Sequence, residues 1–149
     1  MENINDTSRR DGNRPEKGNQ ERMISCMLAD DLEELFRHTP EEGYGWMDSQ
    51  AALVEACHMA WTTGRLHDAM GRNTGFHHIV RMACERLHVR MPANPSAVVY
   101  KARQRKGVRV GQLLGRYLIL QGQGIRDPFR FCVRRRRHGK RQQEPPKAQ

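Results

Sequence analysis

No stretch of the chain approaches the roughly 18 consecutive apolar residues that a membrane-spanning helix needs. No secretory apolar segment follows the N-terminus either. These two absences predict a soluble, cytoplasmic protein with no membrane partner. Cysteine is sparse: Cys26, Cys57, Cys84 and Cys132 stand at least 27 residues apart and form no CxxC pair. That spacing excludes a zinc ribbon and a thioredoxin-type motif. Cys57 and Cys84 fall on or beside apolar helix faces and are expected to be reduced core residues. Aromatic residues make up 6% of the chain. Only Tyr100 and Tyr117 lie between Leu87 and Leu120, which argues against a stacking platform for single strands there. P-loop, HExxH, nucleophile-elbow and paired-carboxylate patterns are all missing, so neither an enzymatic reaction nor a cofactor is expected.

The seven histidines invite a metal site, but their spacing does not support one. His77, Cys84 and His88 recur at i, i+7 and i+11 of one helix, so the ends lie about 16 Å apart at roughly 1.5 Å rise per residue. A tetrahedral ion with Zn–N near ~2 Å cannot span that. Cys57-His58 with Cys84, converging across two helices, is the remaining arrangement. Burial of the thiols in a core is the simpler reading, and no metal is expected.

Charge is plentiful and unevenly placed. Residues 1–60 hold 6 Lys/Arg against 13 Asp/Glu, and residues 61–149 hold 20 against 4. The net +9 therefore divides into −7 and +16. A half with that excess attracts polyanions by counterion release. Most of its cations are arginine, which suits phosphate forks and base edges better than lysine.

Residues 1–20 are too poor in apolar side chains to order themselves and are expected to be a flexible tail. An acidic amphipathic helix and linker follow over 21–44, with Ile24, Met27, Leu28, Leu32, Leu35 and Phe36 as its stripe. Asp30, Asp31, Glu33 and Glu34 should form its solvated outer side. Packing on the domain is the simpler role for this helix, and docking of a protein partner through 21–38 is the alternative. The domain proper is expected over 45–131.

Asp48 opens a helix that Gly64 ends. Its buried face should hold Leu53, Val54, Cys57, Ala60 and Trp61, with Trp61 anchoring the core and Trp46 packing where the helix begins. Residues 65–73 read as a loop, with Arg65 and Arg72 available for phosphates. Later, Val110, Leu113, Leu114, Tyr117, Leu118 and Leu120 fit one helical face, although Tyr117–Leu120 is also acceptable strand and could form a wing. Residues 132–149 are expected to be a disordered Arg-rich arm that holds phosphate without reading sequence.

The segment from Thr74 to Lys106 is the centre of the reading. Thr74 is placed to cap a helix whose inward face carries Phe76, Ile79, Val80, Ala83 and Leu87. Its outward face carries His77, His78, Arg81, Glu85 and His88. Pro92 and Pro95 end it. A second helix starts near Pro95 with Asn94 as its cap. Val98, Val99 and Ala102 point inward, with the preceding helix expected to brace them from behind. Ser96, Ala97, Tyr100, Lys101, Arg103 and Gln104 point outward. Small residues for close approach, a hydroxyl, an amide and cations are what a recognition helix needs in a major groove. A solvated basic face is the plain alternative.

The expected fold class is therefore all-α, a small helical bundle containing a helix-turn-helix. Its expected DNA-binding residues are Ser96, Tyr100, Lys101, Arg103, Gln104, Arg105, Lys106, Arg109, Arg134, Arg135, Arg136 and Arg137. The partner is double-stranded DNA. A homodimer stays open as an option, although no coiled-coil seam is visible. The rival reading is an RNA- or ribosome-associated basic protein bound by charge and shape alone.

Trp46, Leu53-Val54-Glu55, Gly64, Tyr100, Arg105-Lys106, Arg109 and the Leu113-Leu114 pair resemble the C-terminal region of the RteC proteins, regulators carried on Bacteroides conjugative elements. The likeness covers about residues 46–121. It implies an all-helical, winged-helix-like DNA-binding module and a role in transcription regulation of a mobile element. The family pattern continues polar-Arg-Thr after the Arg-Lys pair, where this chain has Gly107-Val108-Arg109-Val110. A short acidic helix and tail stand in place of the family's longer N-terminal part.

Overall fold

The central helix explains the rest of the architecture. In the computed structural model of the chain, residues 2–104 and 112–135 are described, residues 2–17 by their backbone alone. The elements run α1 (Glu2–Leu35), a 3-10 turn (Pro40–Glu42), β1 (Tyr44–Trp46), α2 (Gln50–Thr62), α3 (Phe76–Leu87), α4 (Pro95–Gln104), α5 (Leu113–Gly122), α6 (Pro128–Phe131) and β2 (Val133–Arg135). A mostly helical bundle was expected, and the described residues form one, with a two-stranded antiparallel sheet added.

α2 is apolar on nearly every side, so it must be covered on nearly every side. Ala52, Leu53, Val54, Ala56, Cys57 and Ala60 are all fully buried, and α1, α3, α4 and α5 pack around the helix. Ser49 caps its start, the hydroxyl accepting from Ala52 N at 3.1 Å, one residue after the expected Asp48. Gly64 ends it as expected, with φ +69° in the left-handed region that glycine occupies without strain.

α1 lays Ile24, Leu28, Ala29, Leu32 and Leu35 against α2 and is a packing helix. Two expectations about this region are corrected. The backbone is helical from Glu2, not a flexible tail up to residue 20. Asp31, assigned to the solvated side, is buried, because Arg130 of α6 reaches it from the far end of the chain.

α3 presents the expected two faces, with Phe76, Ile79, Val80, Ala83 and Leu87 buried and His77, His78, Arg81, Glu85 and His88 exposed. Its N-cap is Gly75, not Thr74; Thr74 is buried, and its N–H donates to the Leu66 carbonyl at 2.9 Å. Arg86 ties α3 to the end of α1. It donates to the carbonyls of His38 at 3.0 Å and Phe36 at 3.3 Å, which supplies partners for groups a helix end leaves open.

Residues 113–122 are helix, so the wing alternative at Tyr117–Leu120 is set aside. The expectation of a disordered arm from 132 is also corrected. Cys132 is buried, and Val133–Arg135 pair with β1 in the register Tyr44↔Arg135, Gly45↔Arg134, Trp46↔Val133. Trp46 packs at the start of α2 as expected, its Nε1 donating to the Ser49 carbonyl at 2.7 Å and its ring 5.3 Å from that of Phe129.

Candidate nucleic-acid interface

α4 is built by three local devices. Asn94 Oδ1 accepts from Ala97 N at 3.1 Å, so Asn94 is the cap expected from its sequence. Pro95 occupies the first helical position, where its missing N–H costs nothing. Val99 and Ala102, one turn apart, are buried, with Val98 half-buried beside them. The surface they seat on is α2, not the preceding α3, which was expected to brace the helix. α3 and α4 are joined by the seven residues 88–94, and α2 packs against both.

Ser96, Tyr100, Lys101, Arg103 and Gln104 are brought together on the exposed side of α4. Tyr100 is 68% exposed. Arg134 and Arg135 are not part of that surface, since their strand packs on β1 and α6. Arg135 donates to the Glu42 carbonyl at 3.4 Å and lies 5.8 Å over the Tyr44 ring, while Arg134 is exposed opposite Gly45. Arg105, Lys106, Arg109, Arg136 and Arg137 lie outside the described residues. The two loop arginines considered for phosphate are paired with acids, Arg65 with Asp30 at 3.1 Å and Arg72 with Asp68 at 3.5 Å.

The C-terminal end of α4 is fastened to its neighbours. Gln112 Nε2 donates to the Arg103 carbonyl at 3.0 Å. The next residue, Leu113, donates its N–H to Glu55 Oε2 at 3.2 Å, which sets a carboxylate of α2 at the positive end of α5. Between these helices is a cleft of about 100 Å³ whose lining includes Glu21, His58, Arg103 and Gln112.

Arg103 Nη2 lies 3.4 Å from His58 Nδ1. A guanidinium can only donate, so this nitrogen of His58 is the acceptor and the imidazole is neutral. Burial, and secondarily the Arg103 charge, hold His58 below the usual histidine range, in agreement with a neutral ring.

Sequence reasoning missed what surrounds His58. Trp61, expected to anchor the core, is 42% exposed. Its ring centroid lies 5.5 Å from that of His58 and 5.7 Å from that of Phe76, and His77 adds a fourth ring 5.9 Å from Phe76. The i, i+3 spacing of His58 and Trp61 was the available clue, since it puts both on one helix face. Phe76 and His77 come from another helix and carried no such clue.

The thiols behave as core groups. Cys57 is fully buried near Cys84; burial raises both above the usual thiol range, Cys84 to about 11, and both are free. Among the described residues no group of three His, Cys, Asp or Glu side chains could hold a metal ion, and no helix is long and apolar enough to cross a membrane.

These features define a small helical bundle that presents a capped cationic helix beside an exposed aromatic group. No family model, no curated protein and no solved structure matches the chain.

Proposed function

We propose that the chain is a DNA-binding protein that reads duplex DNA with the outer side of α4, as the second helix of a helix-turn-helix-like unit in which α2, not α3, seats the reading helix. The observation that carries this reading is the division of α4. Pro95, Val99 and Ala102 are buried, while Ser96, Tyr100, Lys101, Arg103 and Gln104 stand exposed on one side. Lys and Arg suit guanine edges, Gln suits adenine, and Ser and Tyr hydroxyls suit phosphates. The +16 charge of residues 61–149 supplies the sequence-independent attraction. Arg105, Lys106, Arg109, Arg134, Arg136 and Arg137 serve as phosphate holders; Arg135 does not, because its guanidinium is engaged by the Glu42 carbonyl and the Tyr44 ring.

The resemblance to RteC-type regulators gives this reading its biological setting, transcriptional control of a mobile, conjugative element in the cytoplasm. No reaction, metal or cofactor belongs to it. Selection from a random duplex pool, at salt high enough to suppress charge-only binding, tests it. A recovered sequence motif supports the reading. A pool that stays random overturns sequence readout and leaves the rival, a basic protein that holds RNA by shape and charge.

A further inference from the structure

We propose that Trp61, backed by His58 and Phe76 and flanked by Arg103, is a stacking platform for an unpaired nucleobase. The nucleic acid bound at α4 then includes a single-stranded or unstacked stretch beside the duplex. The inference rests on the nucleic-acid reading of α4, because Arg103 belongs to both surfaces.

Trp61 stands out on its own helix. α2 is enclosed through Ala60, and in its last two residues, both exposed, it leaves its largest side chain 42% exposed. The indole is held in place by its neighbours. Phe76, only 9% exposed, lies behind it at 5.7 Å and 44°, and His58 lies beside it at 5.5 Å and 49°. His58 and Phe76 meet edge-on at 5.3 Å and 89°. Such tilted and edge-on pairs are the favoured arrangements of aromatic rings. The indole is therefore oriented before any ligand arrives, and a base stacking on it loses little side-chain freedom.

The Arg103 guanidinium, 3.4 Å from His58 Nδ1, puts a cation one ring away from the indole. A π-face with a neighbouring guanidinium matches a nucleotide, which offers a π-face and a phosphate together. A purely apolar partner would cover the indole but strip Arg103 of water without replacing its hydrogen bonds. A base inside a duplex keeps both faces in the stack, so only an unpaired base can use the platform. Single-stranded DNA and RNA share this chemistry.

The test titrates the full chain with oligodeoxyuridylate and oligouridylate of about 12 nucleotides, which differ only in the sugar, and with a duplex of the same length, reading tryptophan emission and affinity. Emission should be quenched by the single strands in the wild type and not in Trp61→Phe, which assigns the change to Trp61 and leaves Trp46 untouched. Trp61→Ala should weaken single-strand binding about tenfold and alter duplex affinity by less than about twofold, whereas Trp61→Phe should keep most of the single-strand affinity. A stronger response to one of the two oligonucleotides supports the platform and identifies which sugar it accepts. Unchanged Trp61 emission at saturating single strand overturns the proposal, as does an equal loss of duplex and single-strand affinity in Trp61→Ala. If duplex binding persists while Trp61 is silent, only the platform fails. If neither form binds, the nucleic-acid reading of α4 fails with it.

Discussion

Arg130 Nε lies 2.9 Å from Oδ1 of Asp31, joining α6 to a carboxylate buried on α1. The same guanidinium bonds Glu34 and reaches Asp127 at 3.2 Å. Burial first, then the Asp127 carboxyl, push Asp31 up to about 7, against the lowering pull of Arg130. The folded chain thus holds a proton on Asp31 that the unfolded chain, with an ordinary pKa of 3.8, releases earlier. Asp31's contribution to stability is complete below the ordinary pKa and is lost as pH rises through 7. In Asp31→Asn the group no longer titrates, so the fall in stability between about pH 4 and 7 should flatten. Urea midpoints measured across that window check this, and an unchanged slope would show that Asp31 is not the titrating group.

Leu53 is fully buried on α2, where the other helices converge. Leu53→Ala removes three buried carbons and leaves a cavity that the surrounding helices fill only in part. The expected loss is about 2–5 kcal/mol. Met23→Ala, at a side chain 67% exposed, should change stability by no more than about 0.5 kcal/mol. Chemical denaturation of the two variants gives the comparison.

Glu55 connects the core to the helix beyond α4. Its Oε2 accepts from Leu113 N at the first turn of α5, so Glu55→Ala should cost about 1–3 kcal/mol and loosen that turn first. Glu55→Gln keeps an oxygen in place and should lose less. Amide exchange would resolve the effect. The first-turn amides of α5 should exchange faster in Glu55→Ala while those of α3 keep their protection; uniform acceleration would refute a local role.

Sequence reasoning succeeded where the cause of structure is local. The apolar spacing from Phe76 to Leu87, and Asn94 before Pro95, specify α3 and the start of α4 within a few residues. It failed where the cause is a distant partner. Asp31 reads as a solvated acid because Arg130 stands 99 residues away. Val133–Arg135 read as part of a charged arm because their strand partner, only three residues long, precedes α2. Trp61 was misread for a different reason, since an apolar residue on a core helix need not face the core. The aromatic group around it is assembled by the packing of α3 on α2, which no spacing along one helix reveals.

Arg103 and Arg134 separate base readout from phosphate holding. Arg103 is on the exposed side of a helix seated by buried residues, with its guanidinium fixed near His58. Arg134 is exposed on a strand packed elsewhere in the fold. Arg103→Ala should cost about 1–3 kcal/mol on the selected duplex, much less on a scrambled one, and relax preference at one position. Arg134→Ala should weaken both duplexes alike and lower the slope of log affinity against log salt by roughly 0.9. Titrations of both variants on both duplexes at several salt concentrations give the answer. Identical behaviour of the two would mean that α4 attracts DNA by charge alone, because a cation that reads a base edge must discriminate where one that neutralises a phosphate does not.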